Sequence, residues 1–311
     1  MDSSDQRELI EQAIFTSAQT KRGDGYQIVA SSNGIADDDA RALSTWCPSH
    51  DAMLDEQRAS NSVNFHPLPS GAYCVSRTDA VGVEYSGRGG RRIHTHCLVV
   101  PPLVMRRFGN NPCALLQAAV AGGTLDTADC CPNQLNAIRL PGRARTVDRG
   151  LLTYLTRDLG AEAIGYLVHK AMTAHLLGLA AGRRTEKLIA GLVSCFPLEC
   201  RTDFSFSTGL RYSPRRPFRW IAVDGDPSKR RQQQRQFGMA VIDPRQDHGD
   251  VGEEPLRPWA EFVQTCLRDR KLTELRNELE KSHPEVKACT LPEAGDGQAD
   301  SPKPDDCSVL T

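Results

Sequence analysis

The chain has 311 residues, 39% of them hydrophobic and 25% charged, and its formal net charge is -1. Its apolar-periodic stretches exclude full disorder, and the lack of a glycine period or a sustained heptad excludes a collagen-like or coiled-coil rod. A chain this close to neutral is not an electrostatic binder of nucleic acid or membranes as a whole, and its length predicts one large domain or two closely packed ones.

The processing signals and the thiols predict a cytoplasmic protein. Residues 1–8 are polar and acidic, unlike the basic and apolar regions of a secretory signal. The most apolar stretch, residues 161–181, is interrupted by Glu162, His169, Lys170 and His175, which favours a buried helix over a membrane span. The 11 cysteines are odd in number and thinly spread, a pattern typical of free thiols in a reducing compartment.

The first part of the chain is predicted to be rich in strands. Residues 12–18 and 26–32 form two predicted strands joined by a hairpin loop at residues 21–25. Three aspartates, Asp37 to Asp39, then open a helix that extends to Trp46 and is ended by Pro48. Further strands are expected at residues 72–77, 82–85 and 92–100, and a helix at residues 112–121.

The rest of the chain is predicted to be helical first and mixed afterwards. Residues 124–149 look irregular, and helices are expected at residues 148–159, 161–181 and 183–195. The second of these helices has one apolar face formed by Ile164, Leu167, Val168, Ala171, His175 and Leu176. Strands are expected at residues 202–208, 218–223 and 238–242, with a polar, basic loop at residues 226–236. Residues 259–280 are predicted to form one amphipathic helix.

Strands and helices therefore occur in clusters rather than in strict alternation. This pattern predicts an α+β fold with mostly antiparallel sheets flanked by helices and a central helical segment. We expect a β-rich α+β region at residues 1–123, followed at residues 124–286 by the helical segment, the second set of strands and the C-terminal helix. Residues 287–311 are rich in Pro, Gly and Asp and are predicted to be a disordered tail.

The sequence offers weak candidates for a metal or phosphate site. His94 and His96 lie two residues apart, so both imidazoles would point to one face of a strand, but no acidic residue follows at convincing ligand spacing. Two polar positions on a strand are the simpler interpretation. The glycine-rich string Gly87-Arg88-Gly89-Gly90 lacks the lysine and the helix of a phosphate-binding loop, which favours a hairpin turn. No cofactor or metal is predicted.

Nucleophilic thiols and basic residues supply two alternative functions. Cys47 or Cys195 paired with a histidine would suit a hydrolase or a nucleotide-processing enzyme, and the vicinal pair Cys130-Cys131 is a redox or metal candidate without a CxxC partner. Phosphate contacts are possible for the arginine-rich segment 211–235, although solvated loop residues are the simpler interpretation. Its basic residues are Arg211, Arg215, Arg216, Arg219, Lys229, Arg230, Arg231 and Arg235.

Four strings in the chain resemble one protein family. They are QAIFTS at 12–17, GYQIVASSNGI at 25–35, HCLVV at 96–100 and FPxxCRxxFSFST at 196–208. Together they are similar to the N-terminal region of the bacterial GTPase-associated protein 1 family, over roughly residues 12–223. The strings contain no catalytic signature, and longer family members continue with middle and C-terminal regions.

The resemblance implies a non-enzymatic accessory or adaptor protein that works with a small GTPase in a bacterial signalling or conflict system. A sheet edge can dock such a partner by strand addition, and loops on a rigid frame supply contact residues. Nucleic acid and membrane are not expected as partners. The contact residues that we expect are Ser31, Asn33, Arg211, Arg215 and Arg216.

Overall fold

One nine-stranded sheet runs through the part of the chain that the computed structural model describes, which is residues 8–20, 23–54, 61–83, 91–125, 134–223, 226–247 and 255–286. The strands are β1 (Glu11–Thr20), β2 (Gly23–Ser31), β3 (Asn61–Pro67), β4 (Tyr73–Val83), β5 (Arg91–Val100), β6 (Leu177–Leu179), β7 (Phe206–Ser207), β8 (Trp220–Ala222) and β9 (Ala240–Ile242). Their order across the sheet is β2-β1-β5-β4-β3-β7-β8-β6-β9.

The helices of the described residues are mostly short. They are α1 (Asp37–Trp46), α2 (Pro102–Arg107), α3 (Pro112–Ala121), α4 (Arg149–Leu159), α5 (Ala161–Thr173), α6 (Thr185–Ser194), α7 (Pro227–Phe237), α8 (Pro258–Arg268) and α9 (Leu272–Leu279). Short 3-10 turns cover Gly182–Arg184 and Arg201–Asp203.

The sheet has an antiparallel part and a parallel part. Strands β2, β1, β5, β4, β3 and β7 pair antiparallel, whereas β8 pairs parallel with β7 and β6, and β6 pairs parallel with β9. The predicted α+β class with a mostly antiparallel sheet is confirmed. We expected the N-terminal region to end at position 123. Strand β3 lies before this position and β7 lies after it, so their pairing extends one sheet over both sides of it.

Each face of the sheet has its own apolar layer. Phe65, Leu98 and Trp220 lie on the face that packs against most of the helices. The side chains between this face and the helices form the main core. Phe15 and Cys97 lie on the other face, where Leu43 of α1 covers them. The parallel part of this second face contacts Phe237 at the end of α7 through a small cluster around Ile221. Helices therefore cover both faces, which suits strands that are buried on both sides.

A buried carboxamide joins the two parts of the sheet. The Oδ1 atom of Asn64 on β3 accepts hydrogen bonds from the hydroxyls of Ser62 and Ser207, each at 2.8 Å. Its Nδ2 atom donates to Ser76 Oγ at 3.3 Å and to Thr78 Oγ1 at 3.1 Å. Asn64 is 3% exposed, so these bonds replace all the water that its amide would otherwise bind.

A second buried polar group fastens the helical layer. Arg201 is fully buried, and its guanidinium donates to the carbonyl oxygens of Phe196 (2.9 Å), Gly109 (2.9 Å) and Thr146 (2.8 Å). Burial lowers the pKa of Arg201 to about 10, which leaves the guanidinium charged at neutral pH. One side chain thereby holds three separate loops around the ends of the helices.

The single helix predicted at residues 161–181 is wrong in its second half. Helix α5 ends at Thr173, His175 and Leu176 lie beyond it, and Leu177–Leu179 form the central parallel strand β6. A short apolar run that is buried on both faces has no period that separates strand from helix. The next helix begins at Thr185 rather than at residue 183.

The loop predicted at residues 226–236 is a helix. Asp226 caps α7 by accepting from Ser228 N at 2.8 Å, Pro227 follows at its first position, and Gly238 ends it with φ 62°. None of its residues is buried, so it lacks the apolar stripe from which helices are predicted. Its Lys, Arg and Gln residues nevertheless favour the helical state.

Other predicted boundaries also change. The helix predicted at residues 259–280 is broken between α8 and α9, where Arg270 has φ 59°. The strands predicted at 72–77 and 82–85 are one strand, β4, as far as the described residues extend. Only Phe206–Ser207 of the strand predicted at 202–208 is extended in the sheet. Strand β3 and helix α2 were not predicted, and residues 87–90 and 287–311 lie outside the described residues.

Replacing Asn64 by alanine should destabilise the protein. The change leaves the hydroxyls of four neighbouring side chains without their shared partner inside the sheet. We expect the free energy of unfolding to fall by about 2–4 kcal/mol. Urea denaturation measures it, and a loss below about 1 kcal/mol would show that the carboxamide does not hold the two parts together.

Gly178→Ala should also destabilise the protein, because β6 is closely covered at this glycine. A Cβ atom there would lie 2.6 Å from Met239 Sδ and 2.8 Å from Val223 Cγ1. We expect a loss of about 1–3 kcal/mol in urea denaturation. Gly150→Ala in α4 is the control, because its Cβ would meet only Asp148 Oδ1, at 3.5 Å. Equal effects of the two substitutions would contradict the close packing at β6.

Candidate functional site

The two predicted histidines lie together on the β5 strand, on the face that the main core covers. The register of β4 places Arg77 opposite His96 and Asp79 opposite His94. Both imidazoles are 7% exposed, and Arg77 Nε forms an ion pair with Asp79 Oδ2 at 3.1 Å. The structure thus brings both histidines, one carboxylate and one guanidinium to a single patch of the sheet.

Hydrogen bonds hold one imidazole and leave the other with an open nitrogen. His96 Nε2 donates to Gln12 Oε1 at 2.9 Å, and Gln12 Nε2 donates in turn to the carbonyl of Asn136 at 2.7 Å. The buried Nδ1 atom of His94 has no hydrogen-bond partner among the described residues. Among those residues, no group of three or more His, Cys, Asp or Glu side chains is arranged to hold a metal ion.

Burial makes both imidazoles weak bases. Burial, with a smaller contribution from the neighbouring His94, lowers the pKa of His96 to about 4. Burial also lowers the pKa of His94, although the carboxylate of Asp79 opposes this shift. Both rings are therefore neutral at pH 7. Gln12 binds His96 and Asp79 lies opposite His94, and neither residue belongs to a sequence motif with the histidines.

Three buried thiols meet on the opposite face of the sheet. Cys47 Sγ lies 3.5 Å from Cys97 Sγ, and Cys74 also forms a hydrogen bond with Cys97. These two bonds lower the pKa of Cys97 and raise the pKa values of Cys47 and Cys74, which burial raises further. Cys47, the thiol that we singled out at this place, therefore has a raised pKa, which keeps it in its protonated form.

The second candidate nucleophile is also held in its thiol form. Cys195 lies at the end of α6, fully buried, and burial raises its pKa to about 12. Its carbonyl accepts a hydrogen bond from Trp259 Nε1 at 3.0 Å, so the residue packs α8 against the end of α6. Cys130 and Cys131 lie outside the described residues.

The turn from β2 into α1 is exposed but held by its neighbours. Ser31 ends β2, and its carbonyl accepts from Leu135 N at 3.2 Å. Asn33 is exposed, whereas Ser32 beside it is buried and its hydroxyl accepts from Gln12 N at 2.8 Å. The Glu11 carboxylate accepts from Gly34 N at 3.3 Å. The backbone that carries Asn33 is therefore fixed on both sides.

The start of α1 extends this turn into a polar surface. Asp37, Asp38 and Arg41 are exposed, and Arg41 forms an ion pair with Asp38. Asp39 instead points inward, and its Oδ1 atom accepts from Ser70 N at 3.0 Å. In the sequence, these aspartates predict only the start of a helix. We call Ser31, Asn33, Asp37, Asp38 and Arg41 the β2–α1 surface.

The structure separates the predicted arginines from Ser31 and Asn33. Arg211, Arg215 and Arg216 follow β7, which lies five positions away from β2 in the sheet order. Arg211 and Arg215 are exposed, whereas Arg216 is half-buried and burial lowers its pKa. The predicted partner-binding residues therefore belong to two groups in the sheet.

The arginine-rich segment is divided further by its own contacts. Arg219 is buried with its guanidinium 5.2 Å from the centre of the Phe204 ring, and Arg230 forms an ion pair with Asp243 at 3.2 Å. Exposed basic side chains remain at Arg211, Arg215, Lys229, Arg231 and Arg235.

Within the described residues, no helix has both the length and the apolar character needed to cross a membrane.

Comparison with known proteins links the N-terminal part of the chain to one family. Residues 9–138 match the family model described as GTPase-associated protein 1, N-terminal domain type 2. The match confirms the resemblance over this part; it contains β1 to β5 and Ser31 and Asn33, and it ends before Arg211. No curated protein matches the chain.

Stability should depend on pH because two buried histidines resist protonation. His66 stacks on Trp46 with ring centres 4.3 Å apart, and burial lowers its pKa to about 4, as it does that of His96. The unfolded chain takes up these protons near pH 6.5, so stability is complete above that pH and is lost as the pH falls towards 4. Each histidine should cost roughly 3 kcal/mol at still lower pH.

Urea denaturation between pH 7 and 4 measures this dependence. His66→Phe keeps a ring against Trp46 and removes one titrating group, so the slope of stability against pH should become smaller. An unchanged slope would contradict the low pKa of His66.

Proposed function

We propose that this chain, whose residues 9–138 match the N-terminal domain type 2 of GTPase-associated protein 1, is a non-enzymatic accessory protein that binds a small GTPase. The family match is the observation that carries the proposal. We further propose that it acts as an adaptor in the bacterial cytoplasm, in a signalling or conflict system, where such a partner would be found.

The β2–α1 surface is the contact surface that we propose. It lies within the matched residues, and its exposed side chains stand on a backbone that Gln12, Glu11 and Leu135 hold by hydrogen bonds. A surface already fixed before binding loses little conformational entropy when the partner arrives. With two aspartates and one arginine it favours a partner patch that carries an excess of positive charge.

The chemistry of the other candidates supports a binding role over catalysis. Raised pKa values keep Cys47 and Cys195 as thiols, which are poor nucleophiles. His96 donates its Nε2 hydrogen bond to Gln12, and this contact fixes β5 against β1. These groups are explained by packing and by sheet hydrogen bonds.

Calorimetric titration of the full chain tests the proposal. The protein to titrate is a small GTPase from the same genome, chosen first from the genes that neighbour the one for this chain, and loaded either with GDP or with a GTP analogue that is not hydrolysed. We expect saturable binding, tighter for one nucleotide state than for the other. An absence of binding in both states would overturn the proposed function.

Charge reversal locates the contact surface. Asp37→Lys alters an exposed residue of the β2–α1 surface and should weaken GTPase binding at least about tenfold. Glu274→Lys makes the same change at an exposed position of α9, outside residues 9–138, and should have no effect. If Arg215→Glu weakens binding and Asp37→Lys does not, the contact lies on the arginines after β7 instead.

A further inference from the structure

A cavity of about 390 Å³ opens at the far side of the sheet from the β2–α1 surface. It lies where the parallel strands β6 and β9 end, since Ala180 to Gly182 and Asp243 to Gln246 line it directly after those strands. The end of α4 and Leu188 of α6 form the remaining walls. In sheets with parallel strands, ligands bind outside the carboxyl ends of the strands.

One part of the cavity lining is apolar. Leu155 and Leu159 of α4 and Leu188 of α6 line it together with Ala180, Ala181 and Pro244. Its volume is within the range of small-molecule sites, which combine apolar walls with a few polar groups that fix the orientation of the ligand. The cavity can therefore accept a compact apolar body such as one aromatic ring.

Two guanidiniums converge at the rim on a single carboxylate. Arg184 Nη1 lies 3.1 Å from Asp158 Oδ2, and Arg245 Nη2 lies 2.9 Å from Asp158 Oδ1. Two positive charges and one negative charge leave the group with one net positive charge. The arginine side chains are 45% and 53% exposed, so their remaining N–H donors can reach a bound anion.

The loop that carries Arg245 is fixed by its own contacts. Asp243 Oδ1 accepts from Arg245 N at 3.2 Å, and Asp243 Oδ2 accepts from Arg230 at 3.2 Å. Asp247 Oδ2 accepts in turn from Asp243 N at 2.6 Å. The carboxylate of Asp243 is thus already paired with Arg230, and the carboxylate of Asp247 is bound to the backbone of Asp243.

We propose that this cavity binds a small organic anion. Its phosphate or carboxylate group lies between Arg184 and Arg245, and its apolar body lies against Leu155, Leu159 and Leu188. Arginine guanidiniums suit both anions, because two N–H donors of one side chain can meet two oxygens at once.

Titration of the full chain with simple probes tests the site. Phenyl phosphate and benzoate carry a ring with a phosphate or a carboxylate, inorganic phosphate lacks the ring, and benzyl alcohol lacks the charge. We expect saturable binding of phenyl phosphate or benzoate, at least about tenfold tighter than either incomplete probe. The tighter of the two identifies the anion. Lack of saturation, or affinity no better than that of inorganic phosphate, would overturn the proposal.

Matched variants show whether the probe binds in this cavity. The double substitution Arg184→Gln and Arg245→Gln should weaken binding of the better probe at least about tenfold. Arg231→Gln with Arg235→Gln removes the same charge from exposed positions of α7 and should leave binding within about twofold.

Ala181→Phe tests the apolar interior separately, because it fills the cavity and keeps both arginines. It should abolish the advantage of the ring-bearing probe over inorganic phosphate. Equal loss in both arginine pairs, or an unchanged preference in Ala181→Phe, would place binding elsewhere on the surface.

Discussion

The carboxamide of Asn64 joins two structures that differ in kind. On one side lie antiparallel hairpins, and on the other lie short parallel strands with helical crossovers. An amide is suited to the join because it accepts on one atom and donates on the other, so it can bind hydroxyls of Ser207 on β7 and of Thr78 on β4 at the same time. Both the oxygen and the nitrogen of the amide have hydrogen-bond partners, and a buried polar network is stable only when its donors and acceptors are paired. The sheet therefore continues from the hairpins into the parallel strands without a break.

This continuity puts the two proposed binding surfaces on one rigid frame and far apart. The β2–α1 surface begins at one edge of the sheet, and the cavity lies beside β9 at the other edge. Eight strand spacings separate the two edges, and at about 4.8 Å each this is roughly 38 Å along the sheet. No residue belongs to both surfaces, so the two proposals can be tested independently.

Much of the antiparallel part could be predicted because its sequence repeats simple signals. Three aspartates and a following proline predict α1 with the bounds Asp37–Trp46 that the structure has. Strand β3 was not predicted, because its Ser62 and Asn64 are polar and yet buried. The segment NSVNFHP therefore shows no apolar alternation. Helix α7 was not predicted for the opposite reason, since a helix with no buried residue has no apolar stripe. The prediction therefore fails for elements formed by polar residues, because hydrophobic periodicity does not detect such elements.

The candidate sites were harder to predict than the strands, because contacts between distant segments create them. The two-residue spacing of His94 and His96 predicted their shared face, but only the strand register shows Asp79 and Arg77 beside them. The cavity is a stronger case. Asp158, Arg184 and Arg245 are isolated charges in the sequence, and they meet because β9 pairs with β6 rather than with β8, the strand before it in the chain. Charge pattern alone does not determine that pairing, since it depends on which face each crossover helix covers.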